Sequence, residues 1–317
     1  MHRIRSYRVS ALAAAVVAAA GLVLVVAMPP AAAAELTQRA HLASSNAAQA
    51  VHGAVEIAVW PDGLGYWVVT SAGGVVAGGG AQVYGSLAGT ALNAPVVGIA
   101  AAPTGQGYWL VESNGGVYGF GAARFYGSLA GEHLGHPIVG MTVTPGGEGY
   151  WLVASDGGVF SFGDAHFWGS VPGKKVQITD AIGIVATHTG AGYYVETPSA
   201  RYGFGDVYPD VPTGSRAPGS HVPAGPQAPG AKKAVPPAPP VVSAAAVFRG
   251  LCEVSAEGSV VVYRTASVYH APGKWTEQLA IPRLLGVAAT AVGRNLFVLD
   301  SLGQVKVVGG PGPVPVT

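Results

Sequence analysis

Hydrophobic positions and turn residues follow one another in a pattern that the chain repeats every 42 residues. The stretch GYWLVASDGGVFSFGDAHFWGS at 149–170 is matched by GYWLVESNGGVYGFGAARFYGS at 107–128 and by GYWVVTSAGGVVAGGGAQVYGS at 65–86. A fourth copy begins with Gly-Tyr-Tyr at 192–194. Repetition at such a period indicates a repeat architecture, in which one short unit determines the fold of the whole array.

Each unit is typical of four short strands separated by turns. In the third unit, IVGMTVTP at 138–145 is an apolar strand that ends at a proline; YWLVAS, VFSF and AHFWGS follow as the second, third and fourth strands. The Asp156-Gly157 pair supplies the positive φ that a tight hairpin turn needs. Four strands in about 40–45 residues is the size of a β-propeller blade. Blades pack on both faces, which fits strands that are aromatic and β-branched on both faces.

The second half of the chain keeps this register with a weaker pattern. GLCEVSAEGSVVVYRTASVYHAPG from Gly250 aligns with the third unit, and NLFVLDSLGQVKVVGG from Asn295 aligns with its second and third strands. Cys252 then falls on a buried strand position, as a small core residue. The last unit stops before its fourth strand. The segment AQAVHGA at 48–54 resembles the fourth strand of a repeat and is expected to supply the missing one.

We therefore predict an all-β fold, a β-propeller of six four-stranded blades of about 42 residues. A strand from near residues 48–53 closes the last blade and ties the two ends of the chain together. Because the two late repeats are degenerate, a seven-bladed ring or an open array is the alternative.

Two segments lie outside the repeat. Residues 209–241 hold ten prolines among Gly, Ala and Lys, which predicts an extended inserted loop. The N-terminus carries Arg3, Arg5 and Arg8 and then the apolar run ALAAAVVAAAGLVLVVAM at 11–28. A basic start, an apolar helix and a small-residue cleavage site are typical of a signal peptide, and the run is also nearly long enough for a retained membrane anchor.

The predicted organisation has five parts. They are a signal peptide or N-terminal membrane anchor at 1–34, a linker with a possible ring-closing strand at 35–53, well-formed propeller repeats at 54–208, the Pro/Gly/Ala-rich inserted loop at 209–241, and degenerate repeats that complete the ring at 242–317. With either form of the N-terminus, the rest of the chain is expected outside the membrane, secreted or on the extracellular face of the cell membrane or cell wall.

The composition of the chain limits the classes of partner that we expect. The chain has 317 residues, half of them hydrophobic, which is enough for a large core. Without residues 1–34 it holds 14 basic and 16 acidic residues and no basic patch, so we expect no nucleic-acid partner. A single cysteine allows no internal disulfide, so packing or ring closure must hold the exported fold together. We expect a monomer without a cofactor that meets the membrane only through its N-terminal segment.

The repeat GYWLVASDGGVFSFGDAHFWGSVPG resembles the repeats of secreted and surface proteins common in actinobacteria. Those repeats are thought to form β-propellers and are often attached to hydrolase or cell-wall-associated modules. The resemblance covers about residues 54–208 well and 242–310 poorly. It implies export and a propeller, and it implies no activity, because such repeats have no assigned catalytic residues.

Catalytic and metal motifs are weak, and we assign no catalytic, cofactor-binding or metal-binding residue. The Ser-Asp-Gly-Gly at 155–158 is similar to the Asp-box of sialidase propellers, but its spacing differs and other repeats have Ala or Asn in place of Asp, so it reads as a turn. A glycosidase needs two carboxylates some 5–10 Å apart, and such a pair could meet at the ring axis. Glu132, His133 and His136 offer part of a zinc ligand set but fit solvated loop residues better.

A binding site is expected on one face of the propeller. There the connection from the fourth strand of one blade to the first strand of the next lies beside the turns between second and third strands, and the repeats vary at these positions. The candidate ligand-binding residues are Asn114, Glu132, His133, His136, Asp156, Lys174, Lys175, Asp180 and Glu257. The repeated Tyr and Trp rings fit the core between blades better than a sugar-stacking platform.

The sequence thus favours an exported, non-catalytic binding or scaffold module of the cell envelope. It is expected to recognise an envelope glycan or a surface protein through the loop face. The alternatives are a propeller glycoside hydrolase or lyase that acts on extracellular polysaccharide, and a structural spacer of the envelope.

Overall fold

A computed structural model shows the described residues as β-strands joined by turns and irregular segments. Within the described residues it contains no α-helix, and its one helical turn is a short 3₁₀ segment at Pro172–Lys174. The chain divides into two compact units, residues 1–48 and 49–317. The residues described are 14–19, 22–27, 51–61, 63–207, 213–215, 241–247, 250–255, 259–264, 273–278, 284–289 and 295–309.

The first unit contains an antiparallel hairpin of β1 (Ala14–Ala19) and β2 (Leu22–Ala27), with Ala14 opposite Ala27. The predicted apolar helix is therefore wrong. Apolarity alone does not distinguish a helix from a strand, and the valines of both segments have high strand propensity. Among the described residues, no helix has the length and apolarity to cross a membrane. The assignment of residues 1–34 as a signal peptide or anchor stays a prediction.

The second unit consists of six antiparallel sheets in chain order, and in each the second strand lies between the first and the third. The first three sheets come from the well-formed repeats. Their strands are β3 (Ala54–Val59), β4 (Gly65–Thr70) and β5 (Val75–Gly79); β6 (Val96–Ala101), β7 (Gly107–Glu112) and β8 (Val117–Gly121); and β9 (Ile138–Val143), β10 (Gly149–Ala154) and β11 (Val159–Gly163).

The later sheets come from the fourth repeat and the degenerate ones, which confirms the prediction of an all-β fold. Of the predicted loop at 209–241, most lies outside the described residues, and the described pair Gly214–Ser215 forms a short strand. The strands are β12 (Gly183–Ala186), β13 (Gly192–Glu196), β14 (Ala200–Gly205) and β15 (Gly214–Ser215); β16 (Val241–Val247), β17 (Gly250–Ser255), β18 (Ser259–Arg264) and β19 (Gly273–Gln278); and β20 (Leu284–Ala289), β21 (Asn295–Asp300) and β22 (Val305–Gly309).

The predicted fourth strand is wrong for the first three repeats, whose sheets have three strands. Residues 81–86, 123–128 and 165–170 run as irregular chain beside the third strand. The second-strand tryptophan binds this segment instead: Trp109 Nε1 donates to the carbonyl of Arg124 at 2.6 Å. The other two repeats have the same bond. A carbonyl held by an indole N–H needs no ladder partner, so the segment does not have to follow the sheet.

A tyrosine hydroxyl joins each of the first three repeats to the next. Tyr150 donates its hydroxyl hydrogen to the carbonyl of Gly127 at 2.6 Å and accepts the amide hydrogen of Tyr126 at 3.1 Å. Tyr126 in turn donates its hydroxyl to the carbonyl of Gly147 at 3.1 Å. Burial raises the pKa of Tyr150, so its hydroxyl stays protonated as a donor. We call these reciprocal bonds the tyrosine bridge; Tyr108 and Tyr193 make the central bonds at the neighbouring boundaries.

The core lies between neighbouring sheets, where the tryptophan of one repeat contacts the tyrosine of the next. The rings of Trp109 and Tyr150 have centroids 5.9 Å apart, and Trp67 with Tyr108 and Trp151 with Tyr193 repeat the contact. All of these rings are buried. Tilted aromatic pairs of this kind contribute about 0.5–1.5 kcal/mol beyond the area they bury. The Gly-Tyr-Trp motif is therefore core, as predicted.

The first strands of the six sheets contact one another in chain order, β3 with β6, then β9, β12, β16 and β20, and β20 contacts β3. In β3, β6, β9, β16 and β20 the pairing with the second strand shifts register near the start of the strand, as at a β-bulge. The residue after the bulge is small in most strands. At Gly140 a Cβ would lie 3.3 Å from the Cα of Gly183, so the close approach of the two strands favours a small residue there.

Replacing Tyr150 with phenylalanine tests the tyrosine bridge. The change removes the hydroxyl that serves both Gly127 and Tyr126 and leaves two main-chain groups without that partner, so we expect the free energy of unfolding to fall by about 1–3 kcal/mol in urea denaturation. Tyr202→Phe, at a half-buried tyrosine outside the bridge, is the control and should change it by about 0.5 kcal/mol or less. Equal effects of the two variants would contradict the role of the bridge.

Candidate functional site

The connections between repeats are held against the turns between second and third strands. The amide of Leu129 donates to the carbonyl of Gly115 at 2.9 Å, and that of Ile138 donates to Ser113 at 2.8 Å. The same two bonds recur in the first and third repeats. The structure thus brings together the segments that the sequence placed on one face. We call this the loop face; it comprises residues 71–74, 86–95, 113–116, 128–137, 155–158 and 170–181.

Two of the candidate residues on this face maintain the turns themselves. Asn114 Oδ1 accepts the amide hydrogen of Gly116 and Asp156 Oδ1 accepts that of Gly158, both at 2.9 Å. The glycine between Asp156 and Gly158 is obligatory, because Gly157 has φ +77° and a Cβ there would lie 2.6 Å from Val171. The interpretation of Asp156 as a turn residue is confirmed.

Lys174 fixes the third connection to the fourth repeat. Its Nζ donates to the carbonyl of Gly203 at 3.0 Å and lies 4.5 Å from the ring centre of Phe204. Lys175 closes the 3₁₀ turn with φ 59°, its amide hydrogen bonded to Pro172. Both lysine side chains are exposed, and Lys174 contacts the fourth repeat from that position.

The remaining described candidates are exposed polar side chains on loops of fixed path. Glu132, His133, His136 and Asp180 are all exposed, and the Glu132 amide donates to the carbonyl of Leu129. In the part of the chain that the structure describes, no group of three His, Cys, Asp or Glu side chains has the geometry to hold a metal ion. Glu257 lies outside the described residues.

A row of exposed apolar side chains was missed by the sequence analysis. Phe125 is 62% exposed, Phe167 51% and Trp168 38%, and the rings of His166 and Trp168 are 4.4 Å apart. The core prediction is wrong for Trp168. These residues lie in the irregular fourth segments, where the tyrosine bridge fixes one side chain and leaves its neighbour in solvent. The available signal was the apolar residue before each bridge position, at 83, 125 and 167.

A cavity of about 520 Å³ lies between the first strands of the six sheets. We call it the inner cavity. The turn prolines Pro61, Pro103 and Pro145 also line it. Each sheet contributes wall residues, among them Glu56, Gly98, Met141, Gly183, Ala244 and Val287.

Glu56 is the acidic side chain that distinguishes this wall. It occupies the position after the bulge, where other first strands have Gly98, Gly140 and Gly183, and its Oε1 accepts the Ile57 amide hydrogen at 3.0 Å. Burial raises the pKa of Glu56 to about 7, although the hydrogen bond from Ile57 lowers it. The sequence carried a signal for it, since an acid stands within an apolar strand at a glycine position of the repeat.

The second acid of the cavity wall is Glu196, whose Oε1 accepts a hydrogen bond from Arg201 Nε at 2.8 Å. Both side chains are buried, so the charge of Glu196 is committed to this ion pair. Glu56, with a pKa near neutrality, has the property of a general acid or of a proton-dependent binding group. Glycoside hydrolysis additionally requires a second carboxylate within a few ångströms of the bond.

The chain matches no protein-family model, and comparison with curated proteins finds no match. The resemblance of the repeats to those of actinobacterial surface proteins therefore stays a prediction. Function is inferred below from the loop face and the inner cavity.

The raised pKa of Glu56 predicts a pH-dependent stability. Between about pH 4.5 and about pH 7 the folded protein keeps a proton that the unfolded chain has lost, so stability falls as pH rises through this window. Glu56→Gln removes the cost of ionising a buried acid. After allowance for partial solvent access, we expect the variant to exceed the wild type by about 1–2 kcal/mol at about pH 8, with the gain vanishing near about pH 4.

Urea denaturation over this pH range measures the difference. Glu132→Gln, which alters an exposed loop acid, is the matched control and should follow the wild type at every pH. A pH-independent difference between Glu56→Gln and the wild type would show that the carboxylate titrates normally.

Proposed function

We propose that residues 49–317 form a closed six-bladed β-propeller, and contacts between the two ends of the chain support it. The amide of Val51 donates to the carbonyl of Gly303 at 3.1 Å, as Leu87 donates to Gly73 inside the first repeat. Residues 51–53 therefore take, for the sixth sheet, the place of a connection that follows a fourth strand.

The aromatic packing at this junction follows the same rule. The ring of Phe297, at the tryptophan position of the sixth sheet, lies 5.7 Å from that of Tyr66 in the first, as Trp67 lies 5.3 Å from Tyr108. The order of contacts among the first strands also returns to its start, because β20 contacts β3. Closure of this kind covers the aromatic faces of the first and sixth sheets at their junction and takes the place of a disulfide.

We further propose that the protein is an exported, non-catalytic binding or scaffold module of the cell envelope. Its partner is an envelope glycan or a surface protein, recognised through the loop face. The observation that carries this proposal is the fixing of each connection by two main-chain bonds, which leaves Glu132, His133 and His136 exposed on a loop of defined path. Exposed polar groups on loops held by a rigid scaffold are how repeat folds present binding sites.

The N-terminal segment supports export, with its three arginines followed by an apolar run. The protein then acts in secreted form or on the extracellular face of the cell membrane or wall. Membership of the actinobacterial surface-repeat proteins, proposed from the repeat sequence, agrees with this placement.

A propeller glycoside hydrolase or lyase is the second candidate, and Glu56 is the observation that favours it. Its pKa near 7 suits a general acid at neutral pH. The ion pair of Glu196 with Arg201 leaves the inner cavity without an evident second catalytic carboxylate among the described residues, so binding without reaction ranks first.

Removal of residues 51–53 tests closure. We expect a protein that begins at residue 54 to melt about 4 °C or more below one that begins at residue 49, because Gly303 loses its partner and the sixth sheet its cover. The protein beginning at residue 49 should match the one beginning at residue 35. If all three melt together, the ends of the chain do not stabilise each other.

Co-sedimentation of residues 35–317 with cell walls and purified envelope polysaccharides tests the binding function. We expect binding without released sugar, and a His133→Ala/His136→Ala double variant should bind about fivefold or more weakly. Phe125→Ser, on the exposed row outside the loop face, is the control and should bind normally.

Each of the other outcomes would support a different site or function. Loss of binding in Phe125→Ser alone moves the site from the loop face to the exposed aromatic row. Sugar in the supernatant that disappears in Glu56→Gln supports the hydrolase or lyase. Absence of both binding and release overturns the glycan proposal and leaves a protein partner or a structural role.

A further inference from the structure

We propose that the inner cavity binds a small organic cation, an amine with an apolar body, and that the carboxylate of Glu56 is its counter-ion. This site is separate from the loop face, and it stands whether or not that face binds a glycan. It is formed by the first strands of all six sheets and so belongs to the assembled unit as a whole.

The size and the wall of the cavity define the ligand. A volume of about 520 Å³ falls within the range of about 300–1,000 Å³ typical of small-molecule sites. Much of the wall is apolar, with Ile99, Met141, Val143 and Val287 among its residues. An apolar body of matching size is therefore the part of a ligand that such a wall can bury.

The threonine hydroxyls of the wall already have partners. Thr144 donates its hydroxyl to Asp164 Oδ1 at 2.8 Å, and Thr187 Oγ1 is 3.1 Å from the carbonyl of Gly192, to which it donates. Thr142 Oγ1 accepts the amide hydrogen of Ala186. Specific recognition in the cavity therefore depends on charge, and ionised Glu56 supplies a negative charge.

Packing does not require an acid at position 56. Gly98, Gly140 and Gly183 occupy the equivalent position in other sheets, and each of those sheets packs without a side chain there. At the junction of the sixth and first sheets, a Cβ on Gly286 would lie 3.1 Å from Glu56 Oε1, so the carboxyl group of Glu56 lies close to this glycine. A partly buried carboxylate that raises the cost of folding and faces a cavity has the features of a functional group.

The described strands that pack around Glu56 supply no internal cation. The strands packed against β3, namely β4, β6, β20 and β21, contain no Lys or Arg. Their titratable side chains are Tyr66, whose pKa burial raises, and Asp300, whose Oδ1 accepts the amide hydrogens of Leu302 and Gln304. A bound ammonium group would provide the missing positive charge.

The other titratable groups of the cavity wall are Glu196 and His188. Glu196 is paired with Arg201, and His188 is exposed and occupies, in the fourth repeat, the position of the turn proline. Ionisation of Glu56 is therefore the proton equilibrium that should govern binding, since an alkylamine stays protonated near neutrality. Affinity should rise with pH through the range in which Glu56 loses its proton.

Isothermal titration of residues 35–317 with hexylamine and with hexanol tests the proposal, because the two probes share one apolar body and differ in charge. At about pH 8.5 we expect hexylamine to bind about tenfold or more tightly than hexanol. At about pH 5.5 the preference should disappear, because Glu56 is then protonated. Glu56→Gln should abolish it at both pH values, and Glu132→Gln, the matched exposed acid, should keep it.

A second readout does not depend on a variant. Saturation of the wild type with hexylamine should lower the pKa of Glu56, measured by carboxyl ¹³C NMR, by about one unit for each tenfold preference that the charge contributes. Equal binding of the two probes, an unchanged preference in Glu56→Gln, an unmoved pKa or no saturable binding of hexylamine at about pH 8.5 would each overturn the proposal.

Discussion

The tyrosine hydroxyl that joins successive repeats is the interaction on which the second unit depends. Tyr150 binds the main chain of the preceding repeat through both Gly127 and Tyr126, and its ring packs on Trp109 of that repeat. One side chain therefore contributes both hydrogen bonds and apolar contact to the boundary. Because each repeat needs its successor in this way, stability rises with every boundary formed, as in other repeat proteins.

The same interaction explains the irregular fourth segments and the surface they create. A segment held by Trp109 Nε1 at Arg124 and by Tyr150 at Gly127 has its carbonyls bound by side chains, so it is free of strand geometry. Its intervening residue, Phe125, then faces solvent. Variation at such positions costs little packing energy, whereas the bridge residues cannot change without exposing main-chain groups.

Local features of the fold could be predicted from sequence, and features set by distant contacts could not. The second and third strands and the Asp156 turn follow from residue pattern and φ requirements. The prediction of fourth strands was wrong because a Trp side chain competes for their carbonyls. The prediction of an N-terminal helix was wrong because apolarity alone does not specify conformation. Glu56 gains its raised pKa in a cavity built by six separate strands and beside Gly286, far along the chain. The sequence shows an acid at a glycine position of the repeat, but it does not show that the side chain of Glu56 is partly buried.

The bond between Val51 and Gly303 has a consequence for biogenesis. A ribosome makes residue 51 long before residue 303. During that interval the first sheet has a neighbour on one side only, and the ring of Tyr66 is not yet in contact with Phe297. A chain released early, or cut within its last repeats, keeps that surface uncovered. The contact of Phe297 with Tyr66 therefore makes the burial of the first sheet depend on synthesis of the last one.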